Sequence, residues 1–322
     1  MCYSAQVWTS YRSYQRMYGA QVDFPAFLDL FQRRQSGEKI LMPKGLTDAF
    51  KHGEPESDDE AHCQELVRAY DTAQIPILQE QLFTQRRRLV DAERSLSVKV
   101  TKKATEDLRI APKKISDLMR KLDDLERAES KERDDRIFAG HYCPVLIMDA
   151  GGQLIVRPMR FLCRPAGKPA FYDIKYPGTY NARRDSLNGF WKGLFGHTHA
   201  VVMASAFYEN VKLHRLEKRD LSVDESEQNV ILKFIPEGGQ PMALASLWSH
   251  WTGKDEHDLL SFALITDEPP LEVSDAGHDR CPVPLKAGNI GGWLGAPAAT
   301  KKDYDEMLED KERPYYAHLL AA

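Results

Sequence analysis

The spacing of apolar and polar residues divides the chain into three stretches. From Ile137 onward, runs of consecutive apolar residues end in turn-forming residues, the pattern of strands buried on both faces. HYCPVLIMDAGGQLIVRPMRF reads as strand, Gly-Gly turn, strand. AVVMASAFYE reads as one buried strand, NVILKFIPEGGQPMALASLW as a hairpin turning at Glu237-Gly238-Gly239, and LLSFALIT as a further strand. Roughly six strands with few helices between them predict a curved or barrel-like sheet.

The first stretch, to about Asp71, mixes Tyr3, Trp8, Tyr11, Tyr14 and Tyr18 with PAFLDLFQRR, an amphipathic helix whose Phe27, Leu28 and Phe31 share a face. Between these regions, from about Thr72 to Arg136, apolar residues thin to a stripe. Leu82, Leu89 and Leu96 recur every seven residues, and Ile115, Leu118, Leu122 and Leu125 follow at spacings of three, four and three. This is the seam of an antiparallel helical hairpin spanning about 78–136. Ala111-Pro112 marks the expected break, with Pro112 in the first turn of the second helix. Arg86 to Arg136 holds 16 basic and 12 acidic residues in 51 positions, too dense for a core. The hairpin therefore reads as a solvated arm. Arg86, Arg87, Arg88 and the Lys102-Lys103 pair are where a protein partner or DNA would touch it. The chain is expected to be α+β: a curved or barrel-like sheet, peripheral helices and an inserted, charged helical hairpin.

Composition narrows the setting. A chain of 322 residues with 42% hydrophobic residues can bury a substantial core. Its net charge of −4 gives no global sign of nucleic-acid binding, so any such surface must be local. Five scattered cysteines, Cys2, Cys63, Cys143, Cys163 and Cys281, form no CxxC pair; the odd count argues for a reducing, cytoplasmic setting and against a structural zinc site. The N-terminus lacks a secretory pattern, and no apolar run approaches the ~20 residues of a spanning helix. No cofactor or metal is implied.

Four positions stand out chemically. Cys2, once Met1 is removed, would carry both a thiol and an α-amine. Asn181 opens TYNARRDSL, Glu209 ends the apolar run AVVMASAF, and His278 begins His278-Asp279-Arg280. Each has an ordinary reading: an unconstrained terminus, an N-cap for a helix starting at NARRDSLNGFW, a strand-end surface carboxylate, and a solvated loop histidine. Together they offer a nucleophile, a general acid or base, and an orienting amide.

Their order and contexts resemble the SRAP family, the SOS response-associated peptidases or abasic-site-processing proteins. The resemblance rests on Met1-Cys2, TYNARRDSL, AVVMASAFYEN, GGQPMALASLW and ITDEPPLEVSDAGHDRCPVPL. It covers about the first twenty residues and then Ile137 to about Leu285. It implies a catalytic core formed by 1–20 and 137–322, with 21–136 as a helical insertion. It also implies a covalent cross-link to abasic sites in single-stranded DNA. The Cys2 α-amine would form a Schiff base at C1′ of the ring-opened sugar, and the thiol would close a thiazolidine. Glu209 would shuttle protons, His278 would act as a second acid or base, and Asn181 would orient Cys2 or the opened sugar. Arg183 and Arg280 would hold phosphates, while Phe161, Phe207 and Tyr208 are candidates to stack on bases, a role in the core fitting each at least as well. The family is also associated with removal of its own N-terminal segment.

The chain departs from the family at several places. Tyr3-Ser4 stands where relatives commonly carry Gly-Arg, leaving Arg12 or Arg184 as substitutes for a phosphate contact. Phe161-Leu162-Cys163 replaces a Trp-Gly segment, and Asn210 a tryptophan. Two other classes use or discard the same features. An N-terminal-nucleophile amidohydrolase would also expose Cys2 but usually follows it with glycine and an aliphatic residue. A degenerate SRAP fold would act only as an interaction module.

Overall fold

A computed structural model describes residues 3–222, 224–295 and 299–321. Cys2, the expected nucleophile, lies outside the described residues. The apolar runs of the second half become the long strands of one mixed sheet. In chain order the strands are β1 (Ser4–Val7), β2 (Gln21–Val22), β3 (Arg136–Phe138), β4 (Tyr142–Met148), β5 (Leu154–Phe161), β6 (Asn181–Arg183), β7 (His199–Lys212), β8 (Asn229–Pro236), β9 (Met242–Trp251), β10 (Leu259–Asp267), β11 (Cys281–Pro282), β12 (Pro284–Leu285) and β13 (Tyr316–Leu320). Pairings run in a circuit β7–β9–β10–β5–β4 and back to β7. The closing β4–β7 edge is the single pair Leu146–Val201, so the sheet is curved without being a clean barrel.

The helices are α1 (Tyr11–Tyr18), α2 (Phe24–Gln35), α3 (Lys44–Lys51), α4 (Asp58–Val98), α5 (Lys102–Glu126), α6 (Tyr172–Lys175), α7 (Leu213–Leu216), α8 (Leu271–Asp275), α9 (Ile290–Gly295) and α10 (Lys301–Glu309). The apolar faces of α1–α4, α9 and α10 cover one side of the sheet, while Leu216 of α7 and Val273 of α8 pack on the other. Phe27, Phe31, Leu46, Phe50, Cys63 and Val67 join Leu146, Val201 and Met203 in one buried cluster. Residues 21–71 thus pack into the body. The opposite side of the sheet forms a second cluster, including Ala200, Val202, Ala204, Phe207 and Val211 from β7. His199 ties β7 to α9. It stacks on Trp293 at 4.2 Å, its Nδ1 donates to the Trp293 carbonyl at 2.9 Å, and its Nε2 accepts from Gly196 N–H at 2.9 Å.

The arm forms, but its turn lies at Lys99–Thr101, not at Ala111-Pro112. Thr101 decides this: its side chain accepts from Ala104 N–H and starts α5 as an N-cap. The preceding Val98 and Val100 are β-branched and weak helix formers. Pro112 sits inside α5 and removes one backbone hydrogen bond there. The helix continues because packing along α4 holds it, with Ala111 fully buried beside the proline. Arg88 pairs with Asp107 across the two helices.

Candidate functional site

The position of Glu209 follows from one irregularity in β7. Side chains alternate between faces along a strand, so Val201 and Met203 join the helix-side cluster and Ala200, Val202 and Ala204 the other. By that alternation Glu209 would face the helices. The pairing of β1 with β7 runs Gln6–Ala206 and then Val7–Ala204, which leaves Ser205 as a bulge. An extra residue flips the faces beyond it. Phe207 and Val211 consequently join the inner cluster, and Glu209, between them, turns inward and is completely buried. This is not the surface carboxylate of the ordinary reading.

Two groups meet it there. Tyr3 donates its backbone N–H to Glu209 Oε2 at 3.3 Å, so the first residue after Cys2 is fastened to this carboxyl. His278 Nε2 lies 3.2 Å from the same oxygen. His278 arrives through a tight turn: α8 ends, Gly277 takes φ +97°, and His278 N–H bonds back to the Val273 carbonyl. A Cβ at Gly277 would stand 3.3 Å from Arg215 Cβ, in a conformation that side chains rarely adopt. The Nδ1 of His278 lies 2.9 Å from the Arg280 carbonyl, to which it can donate, and 3.3 Å from the Arg280 N–H, from which it can accept; the shorter contact is the one that leaves a lone pair on Nε2 toward Glu209.

The electrostatics agree with that assignment. Burial pushes the Glu209 carboxyl well above the usual carboxylate range, against the opposing Tyr3 N–H. Burial pushes His278 down to about 4. Burial thus leaves His278 neutral near pH 7 and favours the protonated form of the carboxyl that faces it. Glu209 Oε1 has no hydrogen-bond partner among the described residues and is the oxygen left to meet another molecule. His278 also borders an open cleft of about 870 Å³, shared with Arg215, Lys218 and Arg280.

The remaining predicted positions separate. Asn181 does not cap a helix; it starts β6, buried, paired with Leu264 on β10. Its backbone continues as a strand because β10 supplies the ladder partners that a helix would forgo. Arg183 and Arg280 converge on Asp185 Oδ2, at 2.9 and 3.4 Å. Arg184 turns the other way and bonds Asp267 at 3.0 Å and Glu309 at 2.6 Å, joining the sheet to α10. Arg12 is likewise engaged with Glu60. Phe161 is fully buried, stacked on Phe262 at 5.2 Å and edge-on to Tyr180 at 5.4 Å. A ring without an exposed face cannot stack on a base, so Phe161 is a core residue; Phe207 is buried in the same way.

Arg136 was missed by the sequence reading. Its Nε donates to Ser4 Oγ at 2.9 Å, and its guanidinium lies 3.6 Å over the Tyr208 ring. Ser4, where the family resemblance expects an arginine, thus holds one from β3. The two positions are far apart in sequence, and only the pairing of β1 with β3 brings them together.

A family model described as SOS response associated peptidase (SRAP) matches residues 98–319.

The chain belongs to the SRAP family. Membership places it with proteins of the DNA-damage response and supports a role at abasic sites in general. Solved structures with likeness to it include a protein from Bordetella bronchiseptica, 20% identical, covering 61% of this chain and 90% of that one at a TM-score of 0.46. A protein from Bacteroides thetaiotaomicron is 15% identical, covering 58% and 77% at 0.46. A phage-related protein from Bordetella bronchiseptica is 16% identical, covering 61% and 85% at 0.44. No curated protein matches the chain. No helix among the described residues of this SRAP protein is long and apolar enough to cross a membrane.

Proposed function

We propose that this SRAP protein cross-links covalently to abasic sites in single-stranded DNA through Cys2, after removal of Met1 by self-processing or by another peptidase. The observation that carries the reading is the buried Glu209–His278 pair with the Tyr3 N–H on the same carboxyl oxygen. A buried carboxyl, whose protonated form burial favours, stands beside the backbone of the residue that follows Cys2.

The chemistry balances without an oxidant or a metal. The neutral α-amine of Cys2 adds to the C1′ aldehyde, and the carbinolamine loses water to give an imine. The thiol then adds across the C=N bond and closes the thiazolidine. Glu209 in its acid form protonates the departing hydroxyl and takes a proton back from the attacking nucleophile. His278 accepts from Glu209 and relays that proton. Asn181 orients the opened sugar. Arg183 and Arg280 bind the flanking phosphates in exchange for their shared Asp185.

The test is a denaturing gel after incubation with single-stranded DNA carrying one abasic site. Wild type should give a slow-migrating adduct, Cys2→Ala none, and His278→Ala a slowed one. No adduct from a wild type lacking Met1 would leave an interaction module without covalent chemistry. An undiminished adduct from Cys2→Ala would remove the thiazolidine route.

A further inference from the structure

The arm is the largest feature the proposed chemistry leaves unused, and its charges are not evenly committed. In its middle, Arg88 pairs with Asp107, Arg87 approaches Asp91 at 3.9 Å, and Arg86 leans on Met119. Nearer the body, Arg127 binds Asp134, and Lys51 binds Asp71 at 2.5 Å. Lys113, Lys114 and Lys121 of α5 also have no ion-pair partner among the described residues, but Asp117 and Asp123 stand close to them in sequence. At the tip, residues 94–105, between Glu93 and Glu106, contain Arg94, Lys99, Lys102 and Lys103 and no acidic residue. All four are exposed, and among the described residues none has an ion-pair partner. Val98 and Val100, also exposed, stand between them.

The tip also stands away from the core. Cys63 and Val67 anchor α4 in the helix-side cluster. Beyond Leu78, Ala92 is the one buried residue of α4, facing the hairpin partner that buries Ala104 and Ala111. From Leu78 to Val98 the helix advances about 30 Å. A chain with a net charge of −4 thus presents four uncompensated cations at the end of a rigid lever.

We propose that the arm tip binds the phosphodiester backbone of DNA flanking the lesion, through Arg94, Lys99, Lys102 and Lys103. The surface carries no base-reading geometry, so the contact is sequence-independent and electrostatic. It rests on the reading of this protein as one that acts on DNA. It adds a second foothold, distant from the lesion, that lengthens residence without taking part in the chemistry.

The experiment uses the full chain and undamaged oligonucleotides, so that it stands apart from adduct formation. Binding to a single-stranded probe of about 4 nucleotides and to single-stranded and duplex probes of about 40 is followed by anisotropy across salt concentrations; the long probes exceed the ~30 Å lever and the short one does not. A variant with Arg94, Lys99, Lys102 and Lys103 all changed to Gln should bind the long probe at least about tenfold more weakly near 0.1 M salt. Its slope of log K against log salt should be shallower by about 3 on single strands and about 4 on duplex. Short-probe binding and the adduct rate at saturating DNA should be unchanged. A variant exchanging Lys and Arg at the four sites should restore the wild-type slope. The single- and double-stranded probes identify which flank the tip meets. Equal affinity and slope for wild type and the Gln variant on both long probes would overturn the proposal, as would a wild type that binds neither. Loss of adduct with an intact long-probe difference would refute the chemistry and keep the arm.

Discussion

Replacing Glu209 by Gln separates the stability of this protein from its chemistry. The carboxyl is completely buried, and its folded pKa is raised above the ordinary value of 4.5. A raised pKa means that the folded state holds the proton more tightly than the unfolded state. Wild type therefore loses stability as pH climbs from about 4.3 toward the folded pKa, by up to about 1.4 kcal/mol per pH unit. The Gln side chain is nearly isosteric. Both contacts fall on Oε2, so Gln keeps only one of them, accepting the Tyr3 N–H or donating to His278, but it never has to ionise. Glu209→Gln should fall about 1 kcal/mol below wild type in urea denaturation at pH 4, one hydrogen bond, and gain on wild type as pH rises to 7.5. The same variant cannot give or take a proton, so the adduct should form about 100-fold more slowly or worse. In wild type the rate should fall as pH rises through the Glu209 pKa, and that limb should vanish in the variant. A stability difference between variant and wild type that does not move in the variant's favour between pH 4 and pH 7.5 would refute the reasoning, because it would show a carboxyl whose ionisation costs nothing in the folded state.

Three further outcomes follow from the geometry. His199, His141 and His278 are each held down to about 4 by burial, so stability should drop as pH falls from 6.5 to 4, and His199→Gln should flatten that slope by about 1.4 kcal/mol per pH unit in denaturant titrations. Gly277→Ala should cost about 1–2 kcal/mol at its positive φ and slow adduct formation through a displaced His278, while Gly19→Ala, also at positive φ but with open space around it, should cost stability and leave the rate alone. Arg184→Ala should lower the melting temperature by freeing Asp267 and Glu309 and leave DNA affinity nearly unchanged, whereas Arg183→Ala should weaken binding with little effect on melting.

The strands and the arm could be read from the sequence because their information is local. Apolar runs such as AVVMASAF and the seven-residue recurrence of leucines specify burial without reference to distant residues. The turn of the arm was misplaced because a proline is a strong local signal, and packing of Ala111 against α4 overrode it. Glu209 was recognised by its position after an apolar run, yet its burial depends on the Ser205 bulge, which no periodicity announces. The Ser4–Arg136 contact and the convergence of Arg183 with Arg280 on Asp185 join segments far apart in the chain, and only strand pairing puts them together. Phe161 was left open between core and stacking platform because an aromatic residue at a strand end fits both before burial is known, and its burial decides for the core.

The central claim is that Cys2 closes a ring on the abasic sugar. Intact-mass spectrometry of the protein after incubation with a single-stranded oligonucleotide bearing one abasic site tests it most directly. The account predicts a species equal to the chain without Met1 plus the oligonucleotide minus one water, with the link mapping to Cys2 and absent in Cys2→Ala. Met1 retained on every molecule, or a link mapping to a lysine, would contradict it.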